Sequence, residues 1–556
     1  MAERTVPRVR HIALVGMAGA GKTTIGRILG EMWGLPVVDL DEIVERCTGR
    51  SVVAVFDDEG EAVFRRHEAA ALHEALDARS LSIVSCGGGV VTTPVCRELL
   101  RAPDILTVWL TAGLHTLRDR LLCSSPERPL LRDPEALSRL WAERRPLYES
   151  VADTAVATDG RVVSVVAREV ARQSRGVFPL SPVPFRKDRK QSRILRVPLP
   201  EHSYDVEIGP GVFSGVGAAA AALGAEKVAF LTHSHLGEKF PEVRASLREA
   251  GLEVIELPVP EGEKAKSFSV LEEILQKMAL AEMRRDDLVV GMGGGVVTDL
   301  AGFAAAVFLR GVPWIACSTT ILGAVDAAVG GKTAVNLAAG KNLAGAFWQP
   351  SRVFIDTFAF KTLPERQMRS GLAEVVKHGL IADPEILDIV EGWGPSPDLA
   401  ALVNDAGEEK RFVELVARSV MVKADIVSID EREGSVRALL NYGHTLGHAL
   451  ETACAGRLAH GEAVAIGMVF AAELACVRGG IDRDLVDLHR RLLGALGLAV
   501  SALPADLVVA RPLMRRDKKH RKNQRFVLLS GLGTALVAED VCESEIEAAL
   551  VLVAQS

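Results

Sequence analysis

Gly16-Met17-Ala18-Gly19-Ala20-Gly21-Lys22-Thr23 follows the apolar run His11-Ile12-Ala13-Leu14-Val15 and leads into Thr24-Ile25-Gly26-Arg27-Ile28-Leu29. The order strand, G-x-x-x-x-G-K-S/T turn, helix is that of a phosphate-binding loop, so the N-terminal part reads as α/β. Glycines let backbone N–H groups converge on phosphate oxygens at a helix N-terminus. Lys22 supplies a cation to the β- and γ-phosphates, and the Thr23 hydroxyl reaches Mg²⁺.

Outward from this turn, Val37-Val38-Asp39-Leu40-Asp41 is expected to end a strand with two carboxylates on one face, because residues two apart in a strand point the same way. One suits Mg²⁺ and the other a substrate hydroxyl. Phe64-Arg65-Arg66-His67-Glu68, Gly87-Gly88-Gly89, Arg128 before Pro-Leu-Leu, and Arg144-Arg145-Pro146-Leu147-Tyr148 follow in that order. An arginine fork beside a glycine turn fits a small carboxylate.

Together these motifs make residues 10 to 172 resemble the shikimate kinase family. The resemblance implies that Gly19, Ala20, Gly21, Lys22, Thr23 and Thr24 cradle ATP and that Asp39 orients Mg²⁺ through water. Asp41 would take the substrate hydroxyls, Arg65 and Arg144 its carboxylate, and Gly87, Gly88 and Gly89 the rest of the ring. Arg128 would approach the transferring phosphoryl group from a lid, in which Arg120 is the weak candidate for stacking on adenine.

The chain has 556 residues, 48% of them hydrophobic and 25% charged, enough for several packed domains. Its formal charge of -7 provides no global basic field, so nucleic acid is not an expected partner. The eight cysteines, with no C-x-x-C pair, fit a reducing cytoplasm. The N-terminus lacks a signal-peptide core, and no uninterrupted apolar run of ~20 residues indicates a membrane span.

Residues 174 to 193, with Pro179, Pro182, Pro184 and the run Arg186-Lys187-Asp188-Arg189-Lys190, read as a solvated linker. A second α/β unit then begins near Ile194. Its turn Gly293-Gly294-Gly295-Val296 follows a strand and opens a helix, so backbone can approach a pyrophosphate closely. Asp299, Glu263, Lys266, Thr319 and Thr320 can hold ribose and amide groups. Asp326, Lys332, Asn336, Lys341 and Asn342 lie in glycine-rich segments that are expected to be flexible loops suited to phosphate and carboxylate. From Asp356 on, helical patterns dominate.

In that helical part, Leu440-Asn441-Tyr442-Gly443-His444-Thr445-Leu446-Gly447-His448 places two histidines four apart, on one helix face, where they bind or flank one metal ion. His460 follows within reach. Upstream, Glu374 and Lys377 set a carboxylate beside a cation on another helix. Apolar packing alone has no need for these groups and Arg437 in one region.

With the G-G-G-V-V-x-D run, G-G-K-T, K-N-L-x-G, A-E-V-V-K and R-x-L-L-N-x-G-H-x-x-G-H, the chain from Ile194 onward resembles the 3-dehydroquinate synthase family. The resemblance implies Zn²⁺ or Co²⁺ on Glu374, His444 and His460, with His448 beside them. It also implies NAD⁺ against Glu263, Lys266, Gly293, Gly294, Gly295, Val296, Asp299, Thr319, Thr320, Asp326, Lys332 and Lys341. Asp326, Lys332, Asn342, Lys377, Lys423, Arg437, Asn441, His448 and Lys519 would bind the substrate, 3-deoxy-D-arabino-heptulosonate 7-phosphate. Lys377, His448, Arg437 and Asn441 would act in the chemistry, in which NAD⁺ takes and returns one hydride. Synthase subunits of this kind dimerise, with an arginine at the position of Arg310 reaching the partner's phosphate site. Ser318, Ala327 and Ala328 depart from the family pattern.

The expected organisation is therefore a P-loop kinase domain over 1–173, a linker over 174–193, a Rossmann-like NAD-binding α/β part over 194–355 and a mainly α-helical metal-binding part over 356–556. A zinc polyol dehydrogenase-like second half with a regulatory nucleotide-binding first half is the alternative, disfavoured by the lysines and arginines that an uncharged polyol does not need.

Overall fold

A computed structural model describes residues 10–33, 35–77, 81–124, 136–159, 161, 163–174, 186–187, 192–199, 202–432, 436–514 and 525–554. The chain divides into two compact units, Met1–Pro184 and Phe185–Ser556.

In the first unit the described residues form a five-stranded parallel sheet: β1 His11–Val15, β2 Val37–Asp39, β3 Ser82–Ser85, β4 Ile105–Thr111 and β5 Thr154–Ala157, in the order β2-β3-β1-β4-β5. The central strands read as continuous apolar runs because helices cover both faces. Ile12, Leu14, Ile83, Val84 and Val108 are fully enclosed, each stabilising the fold by roughly 1.5–3 kcal/mol. The helix Lys22–Trp33 starts directly from the turn after β1, so the glycine turn lies at the carboxyl edge of the central strand.

The second unit is built on an eight-stranded sheet. Its strands are β6 Arg186–Lys187, β7 Arg193–Val197, β8 Tyr204–Gly209, β9 Lys227–Thr232, β10 Glu253–Pro258, β11 Leu288–Gly293, β12 Trp314–Ser318 and β15 Arg352–Asp356. The order is β10-β9-β11-β12-β15-β8-β7-β6, parallel from β10 to β8 and antiparallel at β7 and β6. The progression of strands reverses between β9 and β11, where Met292 is in register with Thr232. A crevice at such a reversal is where open parallel sheets take ligands.

Two differences from the sequence reading concern these elements. Arg186 and Lys187, read as linker, pair with Ile194 and Arg193 as an edge strand, because their backbone completes the ladder of β7. The segments carrying Lys332, Lys341 and Asn342 are not loops but a hairpin, β13 Lys332–Leu337 with β14 Gly340–Phe347. Val335, Thr333 and Ala334 favour the ladder, and a register shift between Val335 and Leu337 precedes the turn at Ala338 and Ala339.

The remainder is mainly helical, with long helices Glu365–Ile381, Ala406–Ile429 and His460–Val477 and one further hairpin, β16 Phe526–Gly531 with β17 Thr534–Ala538. Helix His460–Val477 has a mean hydropathy of 1.5 over 18 residues, and 78% of that stretch is buried within the protein. It is apolar nearly all round because other helices and β16 pack about it, with buried Glu473 paired to Arg483 and Arg490.

Candidate active sites

In the first unit, Gly16, Gly19 and Gly21 have φ of 147°, 86° and 90°, and a Cβ on Gly16 would stand 2.5 Å from the Leu110 carbonyl oxygen. The tight turn therefore requires glycine there. Lys22, 9% exposed, donates from Nζ to the carbonyl oxygens of Gly16 (2.8 Å) and Met17 (3.0 Å). Burial lowers its pKa against the opposing pull of Asp41, Cys86, Asp39 and Glu68. Thr23 Oγ1 donates to Asp39 Oδ2 (2.7 Å) and lies 3.2 Å from Ser85 Oγ. The residues offered to ATP and Mg²⁺ thus fit that pair: a cation, a hydroxyl and a carboxylate converge on a helix N-terminus.

Asp39 and Asp41 come together for a different reason than expected. β2 ends at Asp39, which caps the helix Leu40–Thr48 by accepting from the Asp41 backbone N–H. Asp41 is in the first helical turn, so a cap and not a strand face sets its direction. Gly87, Gly88 and Gly89 follow β3, and the arginines gather around them. Arg65 forms an ion pair with Glu68 (2.6 Å) and another with Glu61 (3.0 Å). A Cβ on Gly89 would stand 2.1 Å from the Arg65 guanidinium. Arg144 Nη1 donates to Gly88 O (3.1 Å), as does the Tyr148 hydroxyl (2.5 Å). Arg120 donates to Thr158 and to Gly19 O (2.6–3.3 Å), tying the turn to the chain after β5. Arg128 lies outside the described residues.

Glu68 and Ser85 were not singled out from sequence. Glu68 is 1% exposed, and a Cβ on Gly87 would meet its Oε1 at 2.1 Å. Burial raises its pKa while Arg65 lowers it. Its place three residues after Arg65 on one helix was the available signal.

In the second unit, Gly293 ends β11, Gly294 caps and Gly295 opens the helix that carries Val296 and Asp299. Thr319 N–H donates to Gly293 O (3.0 Å), and Thr320 Oγ1 accepts from Gly323 N–H (2.9 Å). A Cβ on Gly295 would lie 3.3 Å from that of Ala327, so the small side chain there keeps the turn clear. Ser318 Oγ donates to Thr320 O (3.2 Å), so this departure supplies a local bond. Lys266 is buried between Asp299 (2.5 Å) and Asn342 Oδ1 (2.5 Å). Burial, opposed by Lys266, raises the Asp299 pKa to about 6. Asn336 bridges Glu263 (2.8 Å) and the Asn342 N–H (2.9 Å). The hairpin is thereby fastened to the crevice through Glu263, Lys266, Asn336 and Asn342.

Around the helix Glu365–Ile381 the charged groups converge. Glu374 is fully buried, with Lys377 one turn on as its ion-pair partner, and Lys377 Nζ donates to Leu440 O (2.6 Å). Glu374 Oε1 lies 3.6 Å from His444 Nε2 and 3.2 Å from His460 Nε2. Burial alone would raise the Glu374 pKa, but Lys377, His444 and His460 hold it well below the carboxylate range. His444 is brought down to about 3 by burial and then by Lys377. One carboxylate and two imidazoles, with donor atoms within 4.8 Å of one another, fit a zinc-type centre with an open position.

His444 and His460 each begin a helix, His444–Ala453 and His460–Val477. The helices cross where a Cβ on Gly467 would stand 1.9 Å from Gly443 O and one on Gly447 would stand 3.2 Å from Val464 Cα. His448 stands one turn after His444, ring centroids 5.0 Å apart. Lys423 pairs with Asp326 on the π-turn Gly323–Ala327. Burial takes its pKa down to about 8 despite Asp326. Arg437, 1% exposed, donates to Gly330 O (3.0 Å) and Glu431 O (2.5 Å). Asn441, Lys332 and Lys341 are exposed, as is Arg310, which has φ 68° between Leu309 (49°) and Gly311 (122°). Lys518 and Lys519 lie outside the described residues.

Behind His444, the Tyr442 carbonyl accepts from His444 Nδ1 (3.1 Å), and the Tyr442 hydroxyl meets His489 Nε2 (2.9 Å). His489 Nδ1 donates to Leu485 O (2.6 Å), and burial lowers its pKa from 6.5 to about 4. The fold therefore holds it neutral. Its contribution is complete above pH ~6.5 and is lost as pH falls toward 4, on the order of 3 kcal/mol at the limit. Urea-unfolding midpoints of the second unit are expected to fall over this range less steeply in His489→Gln than in wild type; equal slopes would contradict the assignment.

Two α/β units, one with a phosphate loop beside an arginine–glycine pocket and one with a dinucleotide-type turn near a metal-capable centre, define a two-site nucleotide-using chain. Family models described as 3-dehydroquinate synthase N-terminal and C-terminal match residues 256–370 and 371–520, and one described as shikimate kinase matches residues 18–175. A 3-dehydroquinate synthase of Corynebacterium glutamicum is 44% identical over 347 residues, 62% of this chain and 94% of that relative. One of Thermobifida fusca is 47% identical over 337 residues, 60% of this chain and 89% of the relative. Among solved structures, a 2-epi-5-epi-valiolone synthase from Streptomyces hygroscopicus subsp. jinggangensis with NAD⁺ and Zn²⁺ bound is 31% identical, with a TM-score of 0.57 over 64% of this chain and 98% of that one. The chain belongs to the 3-dehydroquinate synthase family and carries a shikimate kinase segment at its N-terminus.

Proposed function

We propose that the chain is a bifunctional enzyme of the shikimate pathway: an ATP-dependent kinase that phosphorylates the 3-hydroxyl of shikimate, and an NAD- and metal-dependent synthase that converts 3-deoxy-D-arabino-heptulosonate 7-phosphate to 3-dehydroquinate and phosphate. The observation that carries the synthase reading is the cluster of buried Glu374 with half-buried His444 and His460, and Lys377 at its side. A neutral polyol gives no reason for such a concentration of cations.

In the kinase, Lys22 binds the β- and γ-phosphates and the N–H groups of Gly19 to Thr24 cradle ATP. Thr23 and Asp39 hold Mg²⁺. Arg65 and Arg144 grip the carboxylate, Gly87 to Gly89 leave room for the ring, and Asp41 orients the attacking hydroxyl and accepts its proton. Arg128 is assigned to the phosphoryl group on family grounds.

In the synthase, Glu374, His444 and His460 would hold Zn²⁺ or Co²⁺, and the turn Gly293–Gly295 with Val296, Asp299, Glu263, Lys266, Thr319, Thr320, Asp326, Lys332 and Lys341 would hold NAD⁺. Together these groups supply a Lewis acid at the reacting hydroxyl and a reversible hydride acceptor. Lys377, Lys423, Arg437, Asn441 and Asn342 fix the substrate's carboxylate and hydroxyls. Lys332, His448 and one of Lys518 and Lys519 stabilise the leaving phosphate. Arg310, exposed on its own subunit, would complete a partner's phosphate site in a homodimer. The parts are 1–173 for the kinase, 194–355 for NAD⁺ and 356–556 for the metal and substrate, working in the cytoplasm without nucleic acid or membrane.

The test is mass spectrometry of products from the full chain supplied with the heptulosonate phosphate, NAD⁺, Zn²⁺, shikimate, ATP and Mg²⁺. Both 3-dehydroquinate and shikimate 3-phosphate are expected, with no net NADH. Net NADH accumulation on a polyol would instead support the dehydrogenase reading.

A further inference from the structure

Glu451 lies two helical turns after His444 and just under one turn after His448, so it shares their helix face. One of its carboxylate oxygens, Oε2, stands 3.2 Å from His460 Nδ1. The other, Oε1, stands 3.4 Å from Lys341 Nζ on β14. The opposite nitrogen of the same imidazole, His460 Nε2, faces Glu374 Oε1 at 3.2 Å. His460 therefore sits between two carboxylates with distinct geometric roles: one points into the cluster of Glu374 and His444, while the other lies outside it and is held at both oxygens.

We infer that Glu451 is a positioning residue of the metal centre: by accepting the Nδ1–H of His460 it fixes the tautomer whose Nε2 lone pair faces the ion, and Lys341 holds that carboxylate in place from the hairpin. In the neutral ring the single proton then sits on Nδ1, anchored on the carboxylate, so the ring cannot turn over without breaking a charge-assisted bond, and its Nε2 is the more basic ligand for it. The hairpin that packs toward the crevice thus has a direct electrostatic connection, Lys341 to Glu451 to His460, to the metal ligands. This inference rests on reading Glu374, His444 and His460 as those ligands.

Co²⁺ alone serves as the probe, titrated against a competing chelator into metal-stripped full-length protein and read by its visible d–d absorption. Wild type is expected to take one Co²⁺ per chain. Glu451→Gln, which retains an acceptor but not the charge, is expected to lower affinity about 10-fold and Glu451→Leu about 100-fold, each with an altered absorption envelope. The thermal midpoints of the metal-free variants should remain within about 2 °C of wild type.

Wild-type Co²⁺ affinity and spectrum in both variants would overturn the inference. So would an unchanged spectrum accompanied by a lowered metal-free midpoint, since Glu451 would then be merely structural. Two Co²⁺ per chain in wild type and one in Glu451→Gln would also overturn it, by making Glu451 a ligand of a second ion. Glu374→Gln separates the two readings. Wild-type Co²⁺ binding by that variant defeats the ligand assignment itself, whereas loss in Glu374→Gln with none at Glu451 defeats only the positioning role.

Discussion

Replacing Lys22 by methionine should lower shikimate phosphorylation by ~10³-fold or more and leave formation of 3-dehydroquinate at its wild-type rate. The ammonium group is nearly enclosed and bonded to the carbonyl oxygens of Gly16 and Met17, so in the absence of phosphate its charge is directed into the turn. Methionine fills much of the same volume without charge or donor, and the glycine turn, set by Gly16, Gly19 and Gly21, has no reason to rearrange. Coupled assays of the two products on one preparation decide the matter. Equal loss of both activities would defeat the reading of two independent sites.

Glu374→Gln should produce the complementary result. Bound zinc, measured by elemental analysis, should fall from one equivalent to a small fraction, and cyclisation should fall by ~10³-fold, while phosphorylation is retained. Glutamine is close in shape but offers the ion no anionic oxygen, and it leaves Lys377 buried beside a neutral group. Leaving one member of a buried ion pair unpaired costs about 3–5 kcal/mol, so the variant's unfolding curve must be recorded beside its activity. Lost cyclisation with full zinc content would show that Glu374 is not a ligand.

Much of this was legible because the deciding signals are local. The phosphate loop combines a strand, glycines, Lys22 and a helix within about 20 residues, and each has a single physical use. The four-residue spacing of His444 and His448 held for the same reason, since helix periodicity carries it. What could not be read depended on where the backbone turned. Asp39 and Asp41 were assigned to one strand face, whereas a helix begins between them and a cap orients them. The glycine-rich stretch around Lys332 and Asn342 suggested loops, but its β-branched and small residues form a ladder. Glu68, quoted within its motif, and Glu451, three residues beyond His448, received no role, because a carboxylate that orients an arginine or a histidine has no motif of its own. The folded distances, 2.6 Å to Arg65 and 3.2 Å to His460, distinguish them from surface acids.

The crossing of the two helices that begin at His444 and His460 has one more consequence. Their separation is fixed by hydrogen atoms where other residues have side chains, at Gly443, Gly447 and Gly467. A saturation-mutagenesis map scored by growth without aromatic supplements would therefore mark Gly467 about as intolerant as His460, although it can offer a metal nothing. Sensitivity in such a map would trace the scaffold's clearances as faithfully as its chemistry.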